Sequence, residues 1–230
     1  MPASAPERPS VRFRTKQEYV YSWLRDGILD GTLRPGERIV IDDVARRLEV
    51  SSIPVREALH LLQSEGFVTS APHVGATVAD VSAAEVRELF AIMEALETVA
   101  GRAAAARVTP GETERLRAIV AEMDAELAGG RIESWAALNR SLHRAIGEIA
   151  VMPLLQEMTD RVLVRWERLR RLCFEGVVVP RAEQAQREHH ELVDALARGD
   201  AEGVQAILAT HNRGALRAYE DFLTGPAAAP

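Results

Sequence analysis

Along the first third of the chain, apolar residues come in short bursts at helical spacing, separated by turn residues. Val20, Trp23, Leu24 and Ile28 fall three and four positions apart, which predicts a helix from about Lys16 to Asp30, stopped by Gly31. Leu33-Arg34-Pro35-Gly36 reads as a turn. A short helix follows from about Ile41 to Leu48, with Val44, Ala45 and Leu48 inward. Ser51 and Ser52 are both suited to cap the next helix, and its first turn tolerates Pro54 because no N–H is needed there. Val55, Leu59 and Leu62 form its apolar stripe, and Gly66 ends it. The period then drops towards two: Phe67–Ser70 and Ala76–Ala79 are β-prone runs around Ala71-Pro72-His73-Val74-Gly75, which predicts a small hairpin.

Beyond residue 80 the texture is helical throughout. Ser82-Ala83-Ala84-Glu85 and Thr109-Pro110-Gly111-Glu112 are capping boxes, and Asp200 is placed to cap a last helix after the Gly199 break. Six helices are expected, at about 83–107, 110–128, 133–149, 152–175, 181–198 and 201–223. The fold class is therefore mainly α. A winged helix-turn-helix over 14–79 is joined by a short linker to an all-helical bundle over 82–223.

Composition narrows the class further. Of 230 residues, 47% are hydrophobic, 27% charged and only 5% aromatic, a helix-favouring mixture that excludes collagen, long disorder and a disulfide scaffold. The single cysteine, Cys173, has no internal partner. No run approaches the roughly 18 apolar residues of a spanning helix. The start, MPASAPERPSVRFR, lacks an apolar signal core, so a cytoplasmic protein is expected, without membrane contact. The net charge of −6 argues against nucleic acid until its distribution is considered. Residues 1–78 hold ten basic and ten acidic residues, so all the excess negative charge lies in the bundle.

In a helix-turn-helix, a short first helix braces a second whose N-terminal residues enter the major groove. The stretch from Leu33 through Asp43-Val44-Ala45-Arg46-Arg47-Leu48 and Pro54-Val55-Arg56-Glu57-Ala58-Leu59 to Val68 resembles the GntR family of bacterial transcription regulators. The resemblance implies contact with double-stranded DNA by Arg38, by Ser51, Ser52 and Arg56 on the recognition helix, and by His73 and Gly75 at the wing tip. Ser52 stands where relatives usually carry Arg, and Glu49 where Gly is common. Arg56 thereby becomes the best candidate for a bidentate guanine or phosphate contact, the alternative being a salt bridge within the domain. Gly75 also reads simply as a turn residue requiring positive φ, which is compatible with either role.

The bundle holds the second chemical signal. Trp135, Leu138, Leu142, Ile146 and Ile149 form the apolar stripe of one helix, with Asn139 and His143 together on its flank. His189 has Leu192, Val193 and Leu196 on its face, and His211 has Val204, Ile207 and Leu208, so both point inward; His190 is turned towards solvent. Three inward histidines from three helices require partners for their nitrogens, and spacing alone leaves hydrogen-bonded core residues and a transition-metal site both open.

Asn139-Arg140-Ser141-Leu142-His143, Glu188-His189 and His211 resemble the FCD ligand-binding domain of FadR-type GntR regulators. That implies a divalent metal (Zn, Ni, Co or Mn) on Asn139, His143, His189 and His211, with Asn139 replacing the usual Asp as a weaker ligand or as a partner for a metal-bound water. Met93 stands where many relatives have an Arg for an effector carboxylate. Arg102, Arg140, Arg161 and Arg165 are the candidates to replace it, unless the effector is not an organic acid. The function implied is a homodimeric regulator, a repressor, that binds a pseudo-palindromic operator under control of a small-molecule effector. Two alternatives stand beside it. One is a metal-dependent enzyme with a three-histidine centre, although HExxH, nucleophile and phosphate-loop motifs are all missing from the chain. The other is a helical scaffold with a vestigial DNA-binding domain.

Overall fold

The computed structural model describes residues 15–71 and 75–225. The chain divides into two compact units, Met1–Asp80 and Val81–Pro230. In the first, helix α1 (Lys16–Leu29) opens on a capping box: the Thr15 hydroxyl accepts from the Glu18 N–H at 3.0 Å, and Glu18 accepts from the Thr15 N–H. It buries Val20, Leu24 and Ile28. Helices α2 (Ile41–Arg47) and α3 (Ser52–Ser64) follow, and α3 packs Val55, Ala58, Leu59 and Leu62 inward. Ser51 takes the N-cap position of α3 with extended backbone but makes no side-chain cap bond. In the turn between the two helices Glu49 is left-handed, with φ of 55°, where glycine would fit without strain.

The wing is a sheet of three antiparallel strands in the order β1-β3-β2. Strands β2 (Val68–Ala71) and β3 (Gly75–Val78) form the expected hairpin, with Val68 opposite Val78 and Ala71 opposite Gly75. Gly75 has φ of +91°, as a turn residue at this place requires. His73 lies outside the described residues. Strand β1 (Arg38–Ile39) is absent from the sequence reading, because two residues show no alternation. Only its pairing, Arg38 with Thr77 and Ile39 with Ala76, makes it a strand.

The second unit consists, among the described residues, of helices α4 (Ala83–Ala105), α5 (Pro110–Ala128), α6 (Ile132–Ala150), α7 (Pro153–Leu172), α8 (Val179–Ala197) and α9 (Ala201–Thr224). The caps are those that the sequence marks: Ser82 on the Glu85 N–H, Thr109 and Glu112 reciprocally, and Asp200 on the Gly203 N–H. The expected helix over 152–175 ends at Leu172 instead. A π-helical turn, Phe174–Val178, carries the chain directly into α8, whose first turn accepts Pro180.

Two apolar clusters fill this unit. One gathers Leu116, Met123, Trp135, Leu142, Ile146 and Leu196; the other gathers Val86, Phe90, Met93, Leu169, Val177 and Tyr219. Helices α4 and α9 approach closely at Gly101, where an added Cβ would lie 2.5 Å from Leu208 Cδ1 and 2.8 Å from Val204 Cγ1. Replacing Gly101 by Val is therefore expected to destabilise the protein by about 1–3 kcal/mol despite the loss of a helix-weakening glycine, as read from urea unfolding.

Candidate functional site

His143 on α6, His189 on α8 and His211 on α9 converge in the second unit. Their ring centroids lie 5.0–5.5 Å apart, and one nitrogen from each falls within 4.8 Å of the others. His143 Nδ1 lies 3.1 Å from Glu97 Oε1 on α4, and His211 Nδ1 lies 2.7 Å from Glu188 Oε2 on α8. A ring that gives its Nδ1–H to a carboxylate keeps the Nε2 lone pair for another partner, and this is how metal-bound imidazoles are oriented. His189 is 1% exposed and neither ring nitrogen has a hydrogen-bond partner. Asn139 Oδ1, one turn before His143, is likewise buried and unpartnered.

These orphaned atoms are the test of whether a metal fits. Each unpaired buried polar group costs roughly 1–3 kcal/mol; a cation among the three rings would engage one of the two orphaned His189 nitrogens, and the Asn139 amide oxygen is a further ligand type for it. Three imidazoles and an amide oxygen suit a borderline divalent ion such as zinc. Burial, with the neighbouring His211 and His143 rings, keeps His189 neutral by pushing its pKa well below the ordinary value. Burial also lowers His211, against the pull of Glu188. For His143 burial acts in the same direction, but the Glu97 carboxylate outweighs it and raises the pKa, so a metal would compete with a proton there. Glu97 itself resists burial and is held down to about 2 by His143 and by the Asn212 amide, which donates to it at 2.7 Å. Glu188 is held at about 2 in the same way, by His211 and Arg181.

The histidines and Asn139 were legible in the sequence; the carboxylates behind them were not. Glu97 left a signal nonetheless, since it shares the buried stripe of α4 with Met93, Ala100 and Ala104 and is an acid where an apolar residue belongs. Arg181 gave none: its guanidinium donates to Glu188 and to the His211 carbonyl, both at 2.8 Å, a contact that only the packing of α8 on α9 creates. Trp135 is fixed through its indole N–H, which donates to Gln186 Oε1 at 2.9 Å. His190 is exposed, as its phase on the helix demands, and meets Asp124.

A cavity of about 720 Å³, counting its open mouth, adjoins the centre at the seam of the two apolar clusters. His143, His211 and Asn139 reach it, together with Phe90, Met93, Trp135, Trp166 and Tyr219. Of the arginines expected to meet an effector, Arg140 lines it and donates to Glu167 at 2.9 Å. Arg161 and Arg165 do not. The cavity face of α7 is set by Leu163, Trp166 and Arg170, and a helix places Arg161 and Arg165 about half a turn from Leu163. Arg161 pairs with Glu157 in solvent, and Arg165 borders a separate recess beside Glu85. Arg102 is drawn instead to Gln205 at 2.6 Å. The arginines that do line the cavity besides Arg140 are Arg170 and Arg181.

In the first unit Ser51, Arg56 and Arg38 are exposed and Ser52 is half-buried. Arg56, His60 and Gln63 of α3 border a groove whose other wall is Ser70, Gly75 and Ala76 of the wing. The Arg38 guanidinium reaches the same wing, 3.7 Å from the point where a Cβ on Gly75 would stand. Among the described residues Arg56 has no acidic partner within ion-pair distance, so the salt-bridge alternative is not what occupies it there. His60 and Gln63, one and two turns along from Arg56, were not singled out in the sequence. Among the described residues no helix is long and apolar enough to cross a membrane.

Residues 16–78 match the family of bacterial regulatory proteins named gntR, and residues 88–214 match the FCD domain. The HTH-type transcriptional regulator McbR of Escherichia coli K12 is 30% identical over 179 residues, covering 78% of this chain and 81% of its own. The HTH-type transcriptional repressor RspR of the same strain is 26% identical over 194 residues, 84% of each chain. The solved structure of E. coli McbR/YncC superimposes with a TM-score of 0.70 at 26% identity, covering 91% of this chain and all of that one. These proteins are regulators, which decides against the reading of the three histidines as the centre of a metal-dependent enzyme. The chain belongs to the GntR family of bacterial regulatory proteins and is a transcription regulator with an FCD domain.

Proposed function

We propose that this regulator is a repressor that binds a pseudo-palindromic operator as a homodimer, and that a small molecule controls it from a divalent-metal centre on His143, His189, His211 and Asn139. The observation that carries the metal is His189, orphaned at both ring nitrogens where three imidazoles converge, with the orphaned Asn139 Oδ1 one turn from His143 on a residue that lines the same cavity. When bound, the metal supplies a Lewis-acid position for an electron-pair donor of the effector. The protein's own part is orientation: Glu97 and Glu188 hold two rings by Nδ1, and Arg181 holds Glu188. Repression is supported by the relative named as a transcriptional repressor. Two-fold DNA is supported by the geometry of a single recognition helix, which covers only a half-site.

In the DNA-binding unit Arg56 is the reader, flanked by Arg38 and Gly75 at the wing and by Ser51 and Ser52 at the start of α3. An exposed guanidinium without an acidic partner is available for a guanine edge or a phosphate. Arg56→Ala is expected to weaken operator binding by about 1–3 kcal/mol in a fluorescence-anisotropy titration. A base contact would also flatten the preference for the operator over scrambled DNA; a phosphate contact would instead reduce the salt slope. Unchanged affinity and preference would remove Arg56 from this role and favour a vestigial domain.

The metal centre has its own measurement. Tag-free protein is expected to bind one zinc per chain by elemental analysis, and His189→Ala to lose it. Asn139→Asp should tighten zinc binding, because a carboxylate adds a charge that the amide lacks. Equal, substoichiometric metal in all three proteins would overturn the centre.

A further inference from the structure

The cavity beside the histidines has two properties that together select a class of effector. The first is its wall. Aromatic residues are sparse in this chain, yet two of its three tryptophans, Trp135 and Trp166, line this cavity, joined by Phe90 and Tyr219. The indole N–H of Trp135 is already given to Gln186, so that side chain offers the cavity an apolar surface. Met93 adds a polarizable thioether to the same wall.

The second property is charge. Three arginines touch the cavity, and each is already held by a carboxylate. Arg181 is paired with Glu188; Arg140 and Arg170 share Glu167, and Arg170 also reaches Glu133. Arg171, outside the cavity, makes one further contact to Glu167. Every cavity arginine is thus engaged inside the bundle and none is left for an effector. Glu97 is likewise engaged, by His143 and Asn212. A divalent cation on three imidazoles and an amide would therefore be the position in the cavity that draws an anionic head.

We infer that the effector is an aromatic monoanion, an arene carrying a single carboxylate-like head, with the head at the histidine–Asn139 centre and the ring against Trp135, Trp166, Phe90 and Tyr219. Polycarboxylates and polyhydroxy acids are disfavoured. A second anionic group would find arginines already engaged by Glu167 and Glu188, and a polar body would be stripped of water against apolar walls. This inference rests on the metal reading above and sharpens it.

The test uses the full-length, tag-free protein. Zinc is titrated first, and benzoate, benzyl alcohol, succinate and citrate are then titrated by calorimetry into the zinc-loaded and zinc-free forms, with tryptophan fluorescence as a second readout. Benzoate is expected to bind the zinc-loaded form at least tenfold more tightly than the other three, and at least tenfold more tightly than it binds the zinc-free form. Met93→Arg, which adds a cation to the wall, should shift preference towards succinate by about tenfold while zinc stoichiometry stays at one. If that variant fails to fold, the ligand series on the unmodified chain decides alone. One zinc bound, with succinate or citrate equal to or better than benzoate, overturns the ligand class and leaves the metal reading standing. Equal benzoate affinity with and without zinc overturns the placement of the head. Failure to bind zinc overturns the metal reading and this inference with it.

Discussion

His189 is buried to 1% exposure with both ring nitrogens unpaired, and much of the second unit is arranged around that imidazole. Removing a polar group from water without a partner is unfavourable by an amount comparable to a large core mutation. A fold meant only to be stable would place leucine there. The neighbouring groups do not relieve it: His143 and His211 have turned their Nδ1 atoms to Glu97 and Glu188, and Gln186 is occupied by Trp135 and Asp124. A neutral His189 ring carries one lone pair and one N–H, so an electron-pair acceptor would relieve one of its two unpaired nitrogens.

The same constraint extends outward. Glu188 is ionised although buried, and it stays so because Arg181 and His211 both approach it. Arg181 in turn fixes the His211 carbonyl, so the imidazole, its carboxylate partner and the backbone of α9 form one bonded unit. Further along the cavity Arg170, 2% exposed on its side chain, is tolerated only because Glu167 accepts from it twice. Many polar residues of the bundle are paired with each other, whereas both His189 nitrogens and Asn139 Oδ1 are left without a hydrogen-bond partner.

The two units divide the labour of a regulator between different physics. The winged unit has balanced charge and presents Arg56 and Arg38 on an exposed surface, where contacts form in water and respond to salt. The bundle carries the excess negative charge and keeps its chemistry in a cavity sheltered by aromatic rings, where a single charge has a long reach.

Most of the local structure was legible from residue order alone. Helical spacing and capping residues located the helices to within a residue or two at most ends, because both depend on neighbours three and four positions away. The exceptions are instructive. The β1 strand has no pattern of its own and exists through β3, and the π-helical turn after α7 replaces the last residues expected of that helix and bridges the gap expected before α8. The site divides in the same way. Asn139, His143, His189 and His211 could be read from phase and from the family likeness, since each stands at a helix position whose facing is local. Glu97 left only the trace of an acid on an apolar stripe; Arg181, Arg170 and Trp166 could not be read, and neither could the withdrawal of Arg161 and Arg165 from the cavity. Which acid meets which histidine, and which arginine is already engaged, is decided between helices far apart in sequence. Periodicity carries the direction of a side chain but not the identity of what it will meet, and only the packed bundle supplies that partner.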